Sequence, residues 1–433
     1  MASAYLSKTA AGAGNNTTGT FSCWFKRANA GTTQRLYQHT TDNDHFMEIG
    51  VNGSNKLFVY CYDNPTNLVY LATSRVFQDF SAWYHVVAAF DSTQSTNTDR
   101  AKVYINGQQV TSFSSSTYPS SQNADLFFNK SGQTQYIASN FQSGYRWDGM
   151  IAHLHWADGQ FYDASVFGQT DSNGVWIPKT APTVSYGTNG HFIKFDNSAN
   201  MGLDSSGQSN NFTTSGSVIQ VKDSPTNIYT CLNLLDVVPA NSNTFTNVNS
   251  SLSTNDSGSR STFAPDSGKW YAEAKMPSST SWLGVQDQSI YPSALTNSVL
   301  LYPNGASLYV DGSNQGSGGY GSAWSANDIM MIAMDLTSTQ KKVYFGKNGG
   351  WWNGSDYTAN SPSTGTNLSN NINYAFRSSS GSGTQTTHWN FGNGYFGTTA
   401  VSSAGSNGNG SVFEYDVPTG YYALNTENLK EQS

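Results

Sequence analysis

Short runs rich in Val, Ile, Leu, Tyr and Phe recur along the whole chain, separated by stretches of Ser, Thr, Asn, Asp and Gly. Apolar runs bounded by turn-forming residues are the mark of antiparallel strands joined by hairpins and loops. In the first half the pattern predicts strands at Phe21–Phe25, Phe46–Val51, Lys56–Tyr62, Leu68–Ala72, Tyr84–Phe90, Ala101–Ile105, Gly149–Trp156 and Gly190–Asp196. In the second half it predicts them at Gly268–Met276, Trp282–Val285, Val299–Tyr302, Ser307–Val310, Ile329–Leu336, Lys342–Phe345, Asn373–Phe376 and His388–Phe391. One helical signal stands among them, Asp163–Gly168, with Asp placed as an N-cap and Gly as a stop.

One piece of this pattern is written twice. Trp83–Thr93 is an apolar run ended by Asp91, and Lys102–Ile105 follows and stops at Asn106-Gly107. Ile329–Thr337 repeats the run with Asp335 at its end, and Lys342–Phe345 leads on to Asn348-Gly349. Asn-Gly suits the left-handed positions of a tight hairpin turn, and the two aspartates read as turn formers. The repeat predicts an all-β chain of two antiparallel β-sandwich (jelly-roll) domains in tandem. Asp223-Ser224-Pro225-Thr226-Asn227 marks the boundary, because proline breaks strands and restricts its predecessor, which divides the chain into residues 1–222 and 223–433.

Composition narrows the function classes. The length of 433 residues suits two or three domains of about 150 residues each. Charged residues make up only 11% of the chain, against about 25% in an average soluble domain. The 14% aromatic content supplies the apolar area that a disordered Ser/Asn/Gly-rich chain lacks. A formal charge of -7 with no Lys/Arg cluster excludes a nucleic-acid surface. No apolar run approaches the roughly 20 residues of a membrane helix, so no membrane insertion is expected, and residues 1–20 lack a secretory pattern, which predicts synthesis in a cytoplasm. Cys23, Cys61 and Cys231 are odd in number and widely spaced, and read as buried free thiols.

Trp83–Gly107, together with Phe21-Ser22-Cys23-Trp24-Phe25-Lys26 and the strand at Gly149-Met150-Ile151-Ala152, resembles laminin-G-like, concanavalin A-like lectin domains over most of residues 1–215. The second half is similar to a SPRY domain through Gly268-Lys269-Trp270-Tyr271-Ala272-Glu273, Leu283-Gly284-Val285 and the Asp328–Gly349 hairpin, with a C-terminal tail beyond. The join at residues 223–227 and the end, residues 413–429, resemble segments of structural proteins of marine bacteriophages. These resemblances imply a virion component made in a host cytoplasm, of tail-fibre or appendage type, with other virion proteins and host cell-surface glycans as partners. Laminin-G-like domains often hold calcium at the rim, which makes the oxygen-rich loops at Asp42, Asp44 and Asp204 candidate calcium ligands; turn chemistry explains the same residues equally well.

The chemistry written in the sequence favours binding over catalysis. A retaining glycosidase needs two carboxyls about 5–5.5 Å apart, and concanavalin-like glucanases carry them as Glu-x-Asp-x-x-Glu on one strand. The five glutamates here, Glu48, Glu273, Glu414, Glu427 and Glu431, form no such motif, and no nucleophile elbow, zinc-protease helix, P-loop or dinucleotide fingerprint is present. Gly316–Gly321 lacks the lysine and helix of a phosphate loop and reads as a flexible loop. His153 and His155 alternate on one strand beside Asp148 and Asp158, a spacing that suits a metal but more often faces a groove or solvent.

Tyr145, Trp147, Trp351 and Trp352 lie at predicted loops and are the candidate carbohydrate-binding residues, because sugar rings stack on exposed aromatic faces. The leading expectation is therefore a non-enzymatic adhesin. Two alternatives stand beside it: an architectural capsid or tail decoration without ligand, and a polysaccharide-active enzyme. No heptad or collagen-like repeat specifies an oligomer, so any homo-oligomer must arise from sandwich faces or loops.

Overall fold

A computed structural model describes residues 4–432 except 143, 238–242, 249, 256–257, 278–279, 292–293, 317–318, 322–323 and 381–382. The chain divides into two compact units, residues 1–220 and 221–433. Part of the Gly316–Gly321 loop, residues 317 and 318, lies outside the described residues.

In the N-terminal unit an eight-stranded sheet faces a six-stranded one. The larger sheet runs, edge to edge, Phe113–Thr117, Thr66–Val76, Lys56–Asp63, His45–Val51, Gln34–Thr40, Thr134–Ile137, Tyr5–Thr9, Thr213–Ser215, with every pairing antiparallel. The smaller runs His191–Ile193, Gly149–Asp158, Thr18–Arg27, Tyr84–Asp91, Ala101–Ile105, Gln108–Gln109. Side chains alternate across a strand, so Met47, Ile49, Leu57, Val59, Cys61, Val69 and Leu71 from one sheet meet Phe21, Cys23, Phe25, Val86, Ala88 and Phe90 from the other in one buried core. Burial of each large side chain contributes about 1.5–3 kcal/mol. The Asp158 carboxylate ties the loops around this core together, accepting from Asn15 N at 2.8 Å, Asn129 Nδ2 at 2.8 Å and Asn189 N at 2.9 Å.

The C-terminal unit repeats the plan with a nine-stranded and a six-stranded sheet. Lys269–Lys275, Ile329–Asp335 and Lys342–Lys347 are central to the larger sheet. The smaller runs Gly258–Arg260, Tyr374–Ser380, Ser281–Asp287, Ser298–Tyr302, Ser307–Val310, Ser313–Asn314. Their inner faces bury Trp270, Ala272, Met330, Ile332, Met334, Leu283, Val285, Leu301 and Phe376.

The doubled hairpin occupies the same place in both units, and its side chains repeat the same bonds. Asn106 and Asn348 have φ of 48° and 49°, and each is followed by a left-handed glycine. Asn106 Oδ1 accepts from His85 N at 2.8 Å, and Asn348 Oδ1 accepts from Ile329 N at 2.8 Å. At the other end Asp91 Oδ1 accepts from Thr93 N and Oγ1 at 3.1 and 2.6 Å, and Asp335 Oδ1 from Thr337 N and Oγ1 at 3.0 and 2.7 Å. These contacts hold a strained backbone position in register. Asn106→Ala and Asn348→Ala are each expected to cost about 1–2 kcal/mol through loss of that bond and of the residue type that tolerates positive φ. The readout is a fall of about 3–6 °C in the melting midpoint of the affected unit only.

In each unit the outer face of the hairpin sheet is covered. In the first, Ala164, Phe167, Tyr162 and Trp176 pack onto Val87 and Tyr104. In the second, Phe413, Val417, Tyr421 and Ala423 pack onto Tyr271, Met331 and Ala333. The expected helix at Asp163–Gly168 is a 3₁₀ turn, Ala164–Val166, with Asp163 as its cap (Ser165 N to Oδ1 at 2.8 Å), because Gly168 already belongs to the strand Gly168–Thr170. Among the described residues the one α-helix is Thr426–Gln432, which the sequence pattern did not predict. The three cysteines are buried.

Candidate functional site

Three of the four candidate sugar-stacking residues lie inside the protein. Trp147 sits in the core with its ring edge-on to Phe25 at 5.4 Å. Trp351 belongs to the layer that packs beneath the C-terminal cover, and Trp352 is buried against Tyr320, stacked at 4.8 Å. A stacking platform must offer a ring face to the ligand, so the expectation for Trp147, Trp351 and Trp352 is corrected: these rings turn inward onto apolar neighbours. Tyr145 alone of the four is exposed, at 51%, with φ of 44°.

The oxygen-rich loops are engaged internally. Asp42 Oδ1 accepts from Asp44 N and contacts His45 Nδ1, both at 2.8 Å, which closes the turn between Gln34–Thr40 and His45–Val51. Its carboxyl lies below the ordinary aspartate value: slight burial raises it, and the Asp44 amide and His45 outweigh that. Asp204 accepts from Phe192 N, Ser206 N, Ser206 Oγ and Asn210 N at 2.8–2.9 Å. Among the described residues no group of three His, Cys, Asp or Glu is placed to hold a metal ion. His153 and His155 are separated from regular register by a bulge after Ala152. His155 is buried, bonded to the Tyr186 hydroxyl at 2.8 Å and stacked on Phe192 at 3.8 Å.

What the outer face of the eight-stranded sheet carries was not singled out from the sequence. Because alternate residues share a face, the core-facing Leu57, Val59 and Cys61 leave Phe58, Tyr60 and Tyr62 pointing outward. The register then builds a row across the sheet: Ser7 opposite Tyr136, Tyr136 opposite Gln38, Gln38 opposite Glu48, Glu48 opposite Tyr60, Tyr60 opposite Tyr70, and Tyr70 opposite Thr117. Tyr60 meets Tyr70 and Phe46 edge-on at 5.2 Å each, and Phe46 meets Tyr62 at 5.5 Å. Phe46, Tyr60, Tyr62, Tyr70 and Tyr136 are all half-buried, so each ring keeps area for a ligand.

A polar cluster sits between the rings. Arg35 Nε lies 2.6 Å from Glu48 Oε2, and Gln38 Nε2 donates to the same oxygen at 3.2 Å. Gln38 Oε1 accepts from Phe141 N at 2.8 Å, which brings the exposed loop bearing Phe141 and Tyr145 up to the face. The Arg35 guanidinium is held between the Phe58 and Tyr145 rings, 4.7 Å from each centroid. Burial lifts the Glu48 carboxyl above the ordinary glutamate value, and Arg35 and Gln38 pull it back only in part. Stacking rings beside fixed donors and acceptors is the chemistry that recognises a polyol ring.

A family profile described as the concanavalin A-like lectin/glucanases superfamily, of laminin G type, matches residues 2–166. The fold is therefore all-β and concanavalin A-like, with antiparallel sheets in both units. Among solved structures the chain is similar to a heptameric SAP-like pentraxin from Limulus polyphemus, at 14% identity over 42% of this chain and 88% of that one, with a TM-score of 0.30. It is also similar to a putative carbohydrate-binding protein from Bacteroides ovatus, at 13% identity over 50% of this chain and 56% of that one, with a TM-score of 0.35. A third likeness is to the SPRY domain of human HERC1, at 11% identity over 36% of this chain and 96% of that one, with a TM-score of 0.27. No curated protein matches the chain.

Proposed function

We propose that the protein is a non-enzymatic glycan-binding adhesin whose N-terminal unit takes saccharide on the outer face of its eight-stranded sheet. The observation that carries this is the row Tyr136–Gln38–Glu48–Tyr60–Tyr70, in which half-exposed rings flank a preorganised Arg35–Glu48–Gln38 cluster. Tyr60 and Tyr70 would stack on sugar rings, while the buried Glu48 and Gln38 hold Arg35 and the neighbouring loop in place beneath them. The groups acting on the buried Glu48 are Arg35 and Gln38, an arrangement that braces the face, whereas retaining hydrolysis would need two accessible carboxyls about 5–5.5 Å apart.

A virion context, with other virion proteins and host cell-surface glycans as partners, belongs to this same proposal. It rests on the resemblance of residues 223–227 and 413–429 to phage structural proteins. Electron microscopy of particles labelled against this chain tests it, since an adhesin must project outward, and a chain buried in the shell would favour the architectural alternative.

The binding half is tested directly. Removing both stacking rings, Tyr60→Ala with Tyr70→Ala, is expected to weaken binding to host surface glycans on an array by about 10- to 100-fold. The half-buried rings lie outside the core, so the melting midpoint should hardly move. Unchanged array binding by this double variant would count against the site.

A further inference from the structure

The two units share more than a hairpin. In each, the sheet that holds the hairpin is covered on its outside, and the opposite sheet carries half-exposed aromatic side chains on its outer face. Following the chain from the strand before the doubled hairpin, Gln34–Thr40, His45–Val51 and Lys56–Asp63 of the first unit correspond in order to Ser281–Asp287, Ser298–Tyr302 and Ser307–Val310 of the second. The last strand of each trio carries an outward tyrosine, Tyr60 in one and Tyr309 in the other.

On the outer face of the second unit's six-stranded sheet, Trp282 stacks on Tyr309 with ring centroids 4.4 Å apart and lies 5.7 Å from Tyr302. All three rings are half-buried, and none belongs to either core cluster of the unit. They roof Leu300, which stands opposite Tyr309 and is fully buried. Two exposed amides border the rings: Asn304 Nδ2 donates to the Tyr302 hydroxyl and Asn314 Nδ2 to the Tyr309 hydroxyl, each at 3.3 Å. Ser379 faces Trp282 from the neighbouring strand. Beneath the same face lies a buried Arg–Gln pair, Arg377 Nη1 to Gln286 Oε1, with Arg377 Nη1 also donating to Ala294 O at 3.2 Å, as Arg35 and Gln38 lie beneath the first face.

We infer that the Trp282–Tyr302–Tyr309 face is a second saccharide site, one that takes a neutral pyranose ring and makes the chain bivalent. The residues bordering these rings are amides and hydroxyls, and the guanidinium below is buried, with Nη1 donating to Gln286 and the Ala294 carbonyl and Nε unpartnered. The buried guanidinium presents no exposed charge to a ligand on this face, whereas an uncharged ring can stack on the indole and exchange hydrogen bonds with Asn304 and Asn314. The inference rests on the reading of the first face as a saccharide site. Two sites on one chain raise attachment to a repetitive surface polysaccharide beyond either affinity alone, by making the second contact intramolecular.

Titration calorimetry on the full chain separates the two readings, with β-1,4-glucohexaose, β-1,3-glucohexaose and mannohexaose as probes. The wild type is expected to bind two equivalents of at least one probe. Trp282→Ala with Tyr309→Ala should lose one equivalent, or weaken it about 10- to 100-fold, and Tyr60→Ala with Tyr70→Ala should lose the other. Asn304→Ala with Asn314→Ala, which leaves the packing over Leu300 intact, should weaken the second site about threefold to tenfold and guards against misfolding of the ring variants. A single equivalent lost only with Tyr60 and Tyr70 overturns this inference and leaves the first reading standing. A single equivalent lost only with Trp282 and Tyr309 does the reverse. No binding of any probe by the wild type overturns both.

Discussion

Acidifying the protein from pH 7 to pH 5 is expected to unfold the N-terminal unit while the C-terminal unit stays folded. The cause is a set of buried histidines, His39, His85, His155 and His191, packed among aromatic rings. The partners of His39, His85 and His191 require the neutral ring. Asn129 N–H reaches His39 Nδ1 at 3.4 Å, so His39 Nε2 donates to the Tyr37 oxygen at 2.8 Å; Tyr37 in turn donates to His191 Nε2 at 3.3 Å, and His191 Nδ1 donates to Asn189 O at 3.4 Å. The Trp176 indole can only donate, and it donates to His85 Nδ1 at 3.1 Å. A second proton on His39, His85 or His191 would cost an acceptor as well as a buried charge, and on His155 it would cost a buried charge.

Burial pushes His85 and His191 down to about 3, helped by His153 and Lys8 respectively, and holds His39 and His155 well below the ordinary histidine value. Because the folded values lie below the unfolded value of about 6.5, the stability these rings contribute is complete above that pH. It drains away as the pH falls toward 3, since the unfolded chain takes up protons that the folded unit refuses. At pH 5 the loss is about 2 kcal/mol for each of His85 and His191, and His39 and His155 add to it in the same direction, against a typical domain stability of about 5–15 kcal/mol. The C-terminal unit holds one histidine, His388, which is only half-buried. Urea melts at pH 7, 6 and 5 should show one transition moving steeply and the other not. A first transition that stays put across this range would falsify the account.

The C-terminal unit should respond to acid in the opposite direction, through Glu273. This glutamate is fully buried beneath the C-terminal cover, where Tyr271 Oη donates to Oε1 at 2.8 Å, Tyr415 N to Oε1 at 2.9 Å, Glu414 N to Oε2 at 2.8 Å and Asn390 Nδ2 to Oε2 at 3.4 Å. Burial outweighs these donors and pushes the carboxyl up to about 7, with Glu414 adding to the rise. A folded value above the unfolded one, about 4.3, means that stability is fullest below the unfolded value and falls as pH rises toward 7, by up to roughly 3 kcal/mol.

Glu273→Ala should cost about 3–5 kcal/mol, because it strands the Glu414 and Tyr415 amides and removes the anchor of the covering segment. Hydrogen exchange at residues 413–417 should accelerate well before the sheet itself opens. Glu273→Gln keeps the shape and should abolish the pH dependence between about 4.5 and 7. Persistence of that dependence in the glutamine variant would assign it to another group.

Much of the fold could be read from local signals. The Asn-Gly turns, the aspartates that end the apolar strands and the Val/Ile runs are written within a few residues of the contacts they make. The binding face was less legible for a specific reason. Gln34–Thr40 and Thr134–Ile137, the strands that supply Arg35, Gln38 and Tyr136, are mostly polar and give little apolar periodicity. The row they form is set by register between strands that can lie more than a hundred positions apart, which no local window contains. One clue was available, the second set of aromatics at Phe58, Tyr60 and Tyr62 interleaved with the core residues of the same strand. The loop tryptophans misled because turn residues beside a tryptophan signal a loop, whereas the burial of Trp147 depends on Phe25, far away in the chain.

A chain with so few charges still has to keep the edges of its four large sheets from pairing with other chains. Natural sheets blunt an edge with lysine or inward charge, with bulges, or by keeping the edge strand short. Here the outermost strands are simply short: Gln108–Gln109, Gly350–Trp351 and Ser313–Asn314 have two residues each, and Thr213–Ser215, His191–Ile193 and Gly258–Arg260 have three. The longest edge, Phe113–Thr117, is a serine-rich strand broken by a register shift. Few unpaired amides remain in line for an incoming strand, so resistance to aggregation should survive salt concentrations that would screen a charge-based defence.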